Sequence, residues 1–198
     1  MNRRAVIKNL ALVVGSAVLL PSCLKNGGTA TIALKHLNLN SDQEKLIGDI
    51  CETIIPKTNT PGAKDLNLHL FTLKMLDECY TKKDQQTIVK GSTEFDSMVQ
   101  KKYNQSFSDL SVKDREAVLN GIEQDAKKAG GVKAPAGRNT KPQKTVDTNP
   151  LFAFYWAVKQ QTLFGYTTSQ YFMTKQVVYE LVPGRYNAHF PVKNLKQA

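Results

Sequence analysis

SDQEKLIGDICETIIP, residues 41–56, decides how this chain folds. Ser41 and Glu44 have the S-x-x-E spacing of a capping box, in which each side chain satisfies a free backbone N–H of a helix's first turn. Behind them Leu46, Ile47, Ile50, Cys51, Ile54 and Ile55 recur at helical spacing. Pro56 stops the run, because proline has no N–H with which to continue the ladder. The stretch predicts an amphipathic helix with one face to bury, and the folded part is expected to start near Ser41.

Working downstream, Thr58-Asn59-Thr60-Pro61-Gly62 reads as a turn, after which Leu68, Phe71, Met75, Leu76 and Cys79 line one face of a second helix. Thr81 with Asp84 caps a third, burying Ile88, Phe95, Met98, Val99 and Tyr103. Ser111 with Asp114 opens a fourth, carrying Val118, Leu119, Ile122 and Ala126. Asn149-Pro150 supplies an N-cap and a first-turn proline for a helix that is apolar around most of its circumference, from Leu151 to Tyr166. Such a helix is either the centre of its own bundle or covered by another chain, and both readings stay open here. Residues 176–181 suit a short extended segment, and Val182-Pro183-Gly184-Arg185 carries a type II turn signal. The expected fold is all-α, a single irregular bundle of five to six helices with a short extended C-terminal tail.

Upstream, Arg3, Arg4 and Lys8 precede an uncharged apolar run from Leu10 to Leu20. A spanning helix needs about 20 apolar residues, so this run reads as a signal peptide over residues 1–22. Leu20-Pro21-Ser22-Cys23 resembles a lipobox, in which cleavage leaves a lipidated Cys23 at the new N-terminus; ordinary cleavage nearby is the other reading. Asn2-Arg3-Arg4-Ala5-Val6-Ile7-Lys8 resembles the twin-arginine export consensus, against the plainer reading of a positively charged leader. Residues 23–40, with Asn26-Gly27-Gly28-Thr29, suit a lipidated tether, and residues 41–198 the folded domain.

The full chain carries 27 basic and 17 acidic residues, a net +10 that falls to +7 without the three basic residues of the leader. Much of the excess lies in a loop over 127–147, where Lys127, Lys128, Lys133, Arg138, Lys141 and Lys144 occur with no acid among them. No aromatic is interleaved for base stacking, so this stretch reads as a solvated loop and nucleic acid is not an expected partner. On consecutive antiparallel helices Cys51 and Cys79 would be offset by roughly 13 Å at 1.5 Å per residue, too far for a disulfide. Two buried free thiols are expected. No dinucleotide, phosphate-loop, haem-attachment or zinc-protease pattern is present, His36, His69 and His189 are scattered, and no serine sits in a nucleophile elbow. Neither a catalytic residue, a cofactor-binding residue nor a metal ligand is expected in this chain.

Taken in order, several stretches resemble one family: the arginine-pair signal; Ile54-Ile55-Pro56 with Thr60-Pro61-Gly62-Ala63; Leu76-Asp77-Glu78-Cys79-Tyr80-Thr81; Phe107 to Leu110 ahead of Ser111; Leu163-Phe164-Gly165-Tyr166-Thr167-Thr168-Ser169; and Val182-Pro183-Gly184-Arg185-Tyr186. The chain is similar to the gluconate 2-dehydrogenase subunit 3 family over nearly all of its mature length. Gln170 stands where that family commonly has an acid, and Thr167 where an aromatic is frequent. The resemblance implies the non-catalytic small subunit of a membrane-associated, FAD-dependent sugar or sugar-acid dehydrogenase in the periplasm or cell envelope. It implies FAD in a catalytic partner, usually a cytochrome c with its haem, and no cofactor in this chain. A twin-arginine signal on such a subunit can export a folded flavoprotein that lacks a signal of its own. The candidate partner surface is Phe152, Tyr155, Trp156, Phe164, Gly165, Tyr166, Thr168, Ser169, Arg185 and Tyr186. A free-standing glycan- or protein-binding lipoprotein is the alternative. Replacing both Arg3 and Arg4 by lysine is expected to abolish export of this chain together with its flavoprotein; undiminished export on fractionation and immunoblotting would overturn the folded-export reading.

Overall fold

The computed structural model describes residues 31–129 and 149–177. They form helices α1 (Ser41–Ile54), α2 (Leu68–Cys79), α3 (Lys82–Tyr103), α4 (Val112–Lys128) and α5 (Pro150–Thr167). A 3-10 turn at Phe107–Asp109 and a π-helical turn at Phe172–Gln176 complete the set. Among the described residues there is no strand, and the fold is all-α. The leader, most of the basic loop, the segment after Val177 and the Val182–Arg185 turn lie outside the described residues.

Three helix starts obey their capping chemistry. Thr81 and Ser111 accept from the backbone N–H of Asp84 and Asp114, and the Asn149 side chain accepts from that of Leu151 just ahead of the Pro150 turn. The cap of α1 lies one residue earlier than its S-x-x-E spacing predicts. Asn40 is the N-cap, its Oδ1 accepting from Gln43 N at 2.8 Å while Gln43 Oε1 accepts from Asn40 N at 3.1 Å. Both registers offer a competent pair, and the Asn40 register leaves Glu44 free to accept from Thr31 N at 2.5 Å. Glu44 is buried there.

That bond belongs to a second departure from expectation. Residues 31–40, read as tether, are packed: Leu37 and Leu39 are buried in the main core. The cause is Asp77, 1% exposed near the end of α2. Its Oδ2 accepts from Lys35 N at 2.8 Å, and its Oδ1 from His36 N and Leu37 N, each at 2.7 Å. An acid inside the bundle also rotates α2. The buried stripe is Leu68, Thr72, Leu73, Leu76 and Asp77, so Phe71 and Met75 are only half-buried. Cys79, expected inside, is exposed.

The core is arranged around α5, which packs on α3, α2 and α1. Phe95 of α3 meets Phe107 of the 3-10 turn and Phe154 of α5 edge-on, with ring centroids 5.2 and 5.8 Å apart. Gly91 lets α3 reach the first turn of α5: a Cβ there would lie 2.0 Å from Pro150 O and 2.6 Å from Phe154 Cβ. Cys51 lies inside, its Sγ 3.1 Å from Thr162 Oγ1. A third buried acid, Asp49 on α1, accepts from Lys64 Nζ at 2.5 Å and from the Ser108 hydroxyl. Arg115 of α4, with one nitrogen 4.0 Å from Asp49, donates to Phe107 O and Ser108 O at 3.1 and 2.5 Å. One carboxylate thus joins α1, the loop before α2, the 3-10 turn and α4.

Burial opposes ionisation of Asp77, but the three N–H donors from residues 35–37 outweigh it and hold its carboxyl below the ordinary carboxylate value. A group whose folded value is lowered contributes its full stability above its unfolded value near 3.8 and loses it as pH falls through the folded one. Asp77→Asn is therefore expected to cost about 2–3 kcal/mol near neutral pH, because a charge-assisted acceptor is lost and an N–H is turned on Lys35 N–H. In urea melts, the gap to the parent should close below about pH 3.8. A constant gap across that range would refute the assignment.

The two thiols of the described residues should also differ in chemistry. Burial pushes the Cys51 thiol up to about 11, whereas Cys79 is exposed. In a Cys23→Ser background, a thiol reagent at neutral pH is expected to label Cys79 in the native protein and Cys51 only after unfolding. Native labelling of Cys51 read by peptide mass would contradict its placement.

Candidate partner interface

The candidate surface residues that the structure describes fall at two ends of α5. Phe152 and Phe164 are twelve residues apart, about 18 Å along a helix at 1.5 Å per residue. They do not make one patch, and each end has its own neighbours.

At the first turns of α5, Phe152, Tyr155 and Trp156 face Ile122, Glu123, Ala126 and Lys127 of α4 across a cavity of about 170 Å³. Tyr155 was expected on the surface and is 3% exposed. Its hydroxyl donates to Glu123 Oε1 at 2.5 Å, and Lys159 pairs with the same carboxylate. Lys159 first, and then the Tyr155 hydroxyl, hold Glu123 below the ordinary carboxylate value. Burial and the facing carboxylate push Tyr155 up. The phenol is therefore a permanent donor in a structural cluster, with no pull toward ionisation. Phe152 and Trp156 are half-buried, and Trp156 Nε1 is buried without a hydrogen-bond partner among the described residues.

The other end is open. Leu163 and Phe164 are 38% and 51% exposed, adjacent large apolar side chains at the last turn of the helix. The Phe164 ring lies 6.0 Å from that of Phe71 on α2. Gly165 is buried beneath them, where a Cβ would come within 2.7 Å of Phe71 Cδ1. The helix can thus approach α2 only because residue 165 has no side chain. Tyr166 is half-buried and meets Phe172 edge-on at 5.3 Å. Thr168 is exposed and bonds Phe164 O at 2.7 Å, while Ser169 donates to Tyr166 O at 2.7 Å and accepts from Phe172 N at 3.1 Å. These hydroxyls stop α5 and turn the chain into the π-helical segment. The turn leaves an open groove of about 620 Å³ bordered by Leu66, Leu68, Phe71, Gly165, Tyr171 and Lys175.

Of the candidate residues, Phe164 and Thr168 are on the surface, Phe152, Trp156, Tyr166 and Ser169 are half-buried, and Tyr155 and Gly165 are interior. Arg3, Arg4, Cys23, Arg185 and Tyr186 lie outside the described residues. Sequence reasoning missed Leu163 and Phe71 as parts of the exposed apolar end. Their signal is weak, since Phe71 reads as a core position until Asp77 is known to be buried. Among the described residues no group of three or more His, Cys, Asp and Glu side chains could hold a metal ion. Nor is any described helix long and apolar enough to cross a membrane.

A family model described as gluconate 2-dehydrogenase subunit 3 matches residues 41–184, and the chain belongs to that family. No curated protein and no solved structure matches it.

Proposed function

We propose that this member of the gluconate 2-dehydrogenase subunit 3 family is the non-catalytic small subunit of an FAD-dependent sugar or polyol dehydrogenase of the cell envelope. Its work is to hold the flavoprotein: to escort it folded through the twin-arginine route, stabilise it, and tether it to the membrane through lipid on Cys23. Electrons taken from the sugar by the partner's flavin would pass to a cytochrome c or another membrane acceptor, without a stop in this chain.

The observation that carries this reading is the exposed apolar end of α5. Leu163 and Phe164 sit beside a groove, next to the helix-ending Thr168 and Ser169, and among the described residues the other large apolar side chains, Val112 apart, are buried or half-buried. Burying a side chain of this size is worth roughly 1.5–3 kcal/mol, and aromatic anchors of this kind commonly dominate an interface. A complex that survives export intact needs slow dissociation and a contact of about 2,000 Å² or more, for which this end serves as the central anchor.

The test is a gentle detergent pull-down of the tagged chain from its native membranes, with mass spectrometry and a visible absorption spectrum of the eluate. A co-purifying flavoprotein with bound flavin is expected. Leu163→Ser/Phe164→Asp should keep the parent's thermal melt within a few degrees while lowering flavin recovery at least tenfold. A solitary, colourless protein would overturn the reading in favour of a free-standing binding lipoprotein.

A further inference from the structure

Outside the α5 end, the feature of the surface that departs most from its surroundings is a groove of about 660 Å³ between residues 35–38 and the first half of α3. Lys35, His36, Lys82 and Lys90 border it with Asn38 and Gln86, and no carboxylate lines it. The contrast is with the rest of the body: the described residues hold 16 basic and 15 acidic side chains, close to balance. Lys82 has no ion-pair partner among the described residues. Lys35 meets Glu78 at 3.2 Å and Lys90 meets Glu94 at 3.9 Å, both in water. Exposed pairs of this kind are weak and give way readily to a stronger anion.

We propose that this groove is the face with which the chain rests on an anionic phospholipid surface. The inference depends on the lipid-anchor reading of Cys23 for its geometry. Eight steps separate Cys23 from Thr31, at most about 29 Å of chain at up to 3.6 Å per residue. The segment that follows cannot lift off to lengthen the reach, because Glu44 holds Thr31 and Asp77 holds residues 35–37. Residues 35–38 form one wall of the groove and follow Thr31 by four residues, so a lipid on Cys23 would let this side of the body come down to the headgroups. Attraction to anionic lipid acts over about 8–10 Å, so only a face held at the surface can use it. The groove also has no Phe, Tyr or Trp on which a base could stack, which argues against a nucleic-acid site.

The experiment uses the processed chain, residues 23–198, carrying Cys23→Ser so that no lipid contributes, in flotation with phosphatidylglycerol–phosphatidylcholine vesicles and with phosphatidylcholine alone. Binding to the anionic vesicles only, weakening as salt rises, is expected. Lys35→Gln/Lys82→Gln/Lys90→Gln should weaken it by about fivefold per lysine, on the order of 100-fold in all, with the thermal melt unchanged. In a parallel variant, Lys133, Arg138, Lys141 and Lys144 are replaced by glutamine. Two results would overturn the proposal: no preference for anionic vesicles, or parent-like binding by the groove variant, with loss confined to the parallel variant placing the contact on the basic loop instead. The anchor reading is scored separately, by whether intact mass of the native membrane protein shows lipid at residue 23.

Discussion

Helix α5 has almost no polar side, and the remainder of the molecule is arranged to answer that constraint. A helix apolar around most of its circumference cannot lie on a surface, so it must be surrounded on at least three sides. Here α1, α2 and α3 do so, with Phe154 and Val158 fully enclosed and Thr162 meeting Cys51. Close approach is achieved by omission: Gly91 on α3 and Gly165 on α5 itself mark places where a Cβ would collide with the neighbouring helix. The enclosure is least complete at the last turn, where Leu163 and Phe164 remain in water, while Phe152 and Trp156 near the other end are half-buried. The central-strut reading therefore holds for most of this helix, and the exposed last turn is the length left for the proposed partner surface.

Hydrophobic packing is not directional, and a bundle of short helices joined by loops needs something that is. Two buried carboxylates supply it. Asp49 and Asp77 would each be costly to bury alone, yet each is met by donors from other parts of the chain. Asp77 binds three backbone N–H groups in succession, and backbone groups cannot be moved without moving the chain. The acid therefore specifies the path of residues 35–37 more tightly than the burial of Leu37 and Leu39 could. Asp49, met by side chains and not by backbone, ties together the junction of α1, the 3-10 turn and α4.

These acids also mark where sequence reasoning stops. Helix existence was legible because capping residues and apolar spacing are local: Thr81 with Asp84, Ser111 with Asp114, and Asn149 before Pro150 all cap where their spacing predicts. The rotation of α2 was not legible. Counting apolar residues assigns Asp77 to solvent, and its burial is decided by donors forty residues earlier in the chain. Once Asp77 turns inward, Cys79 must turn outward and Phe71 toward the rim, so two misplacements share one cause. The α1 cap differs for a more modest reason, since Asn40/Gln43 and Ser41/Glu44 are overlapping pairs and the choice rests on the contact of Glu44 with Thr31. The same limit applies to the candidate interface. The aromatic run is plain in the sequence, but which of its members face out depends on which neighbours cover them.

A subunit proposed to hold one partner while being held by a membrane must keep the two attachments from competing for one surface. Helix α2 carries both boundaries. Phe71, beneath Phe164, stands near its start, and Asp77, which grips the segment leading back to residue 31, stands six residues later, about 9 Å along the axis at 1.5 Å per residue. Had residues 31–40 been free, as a tether of that composition suggests, Leu37 and Leu39 would be mobile apolar side chains in search of a surface on which to bury themselves. The Asp77 hydrogen bonds draw those leucines into the core and leave the end of α5 uncovered. In the proposed complex the exposed end of α5 is left to the partner, so the buried acid would serve partner binding without touching a partner.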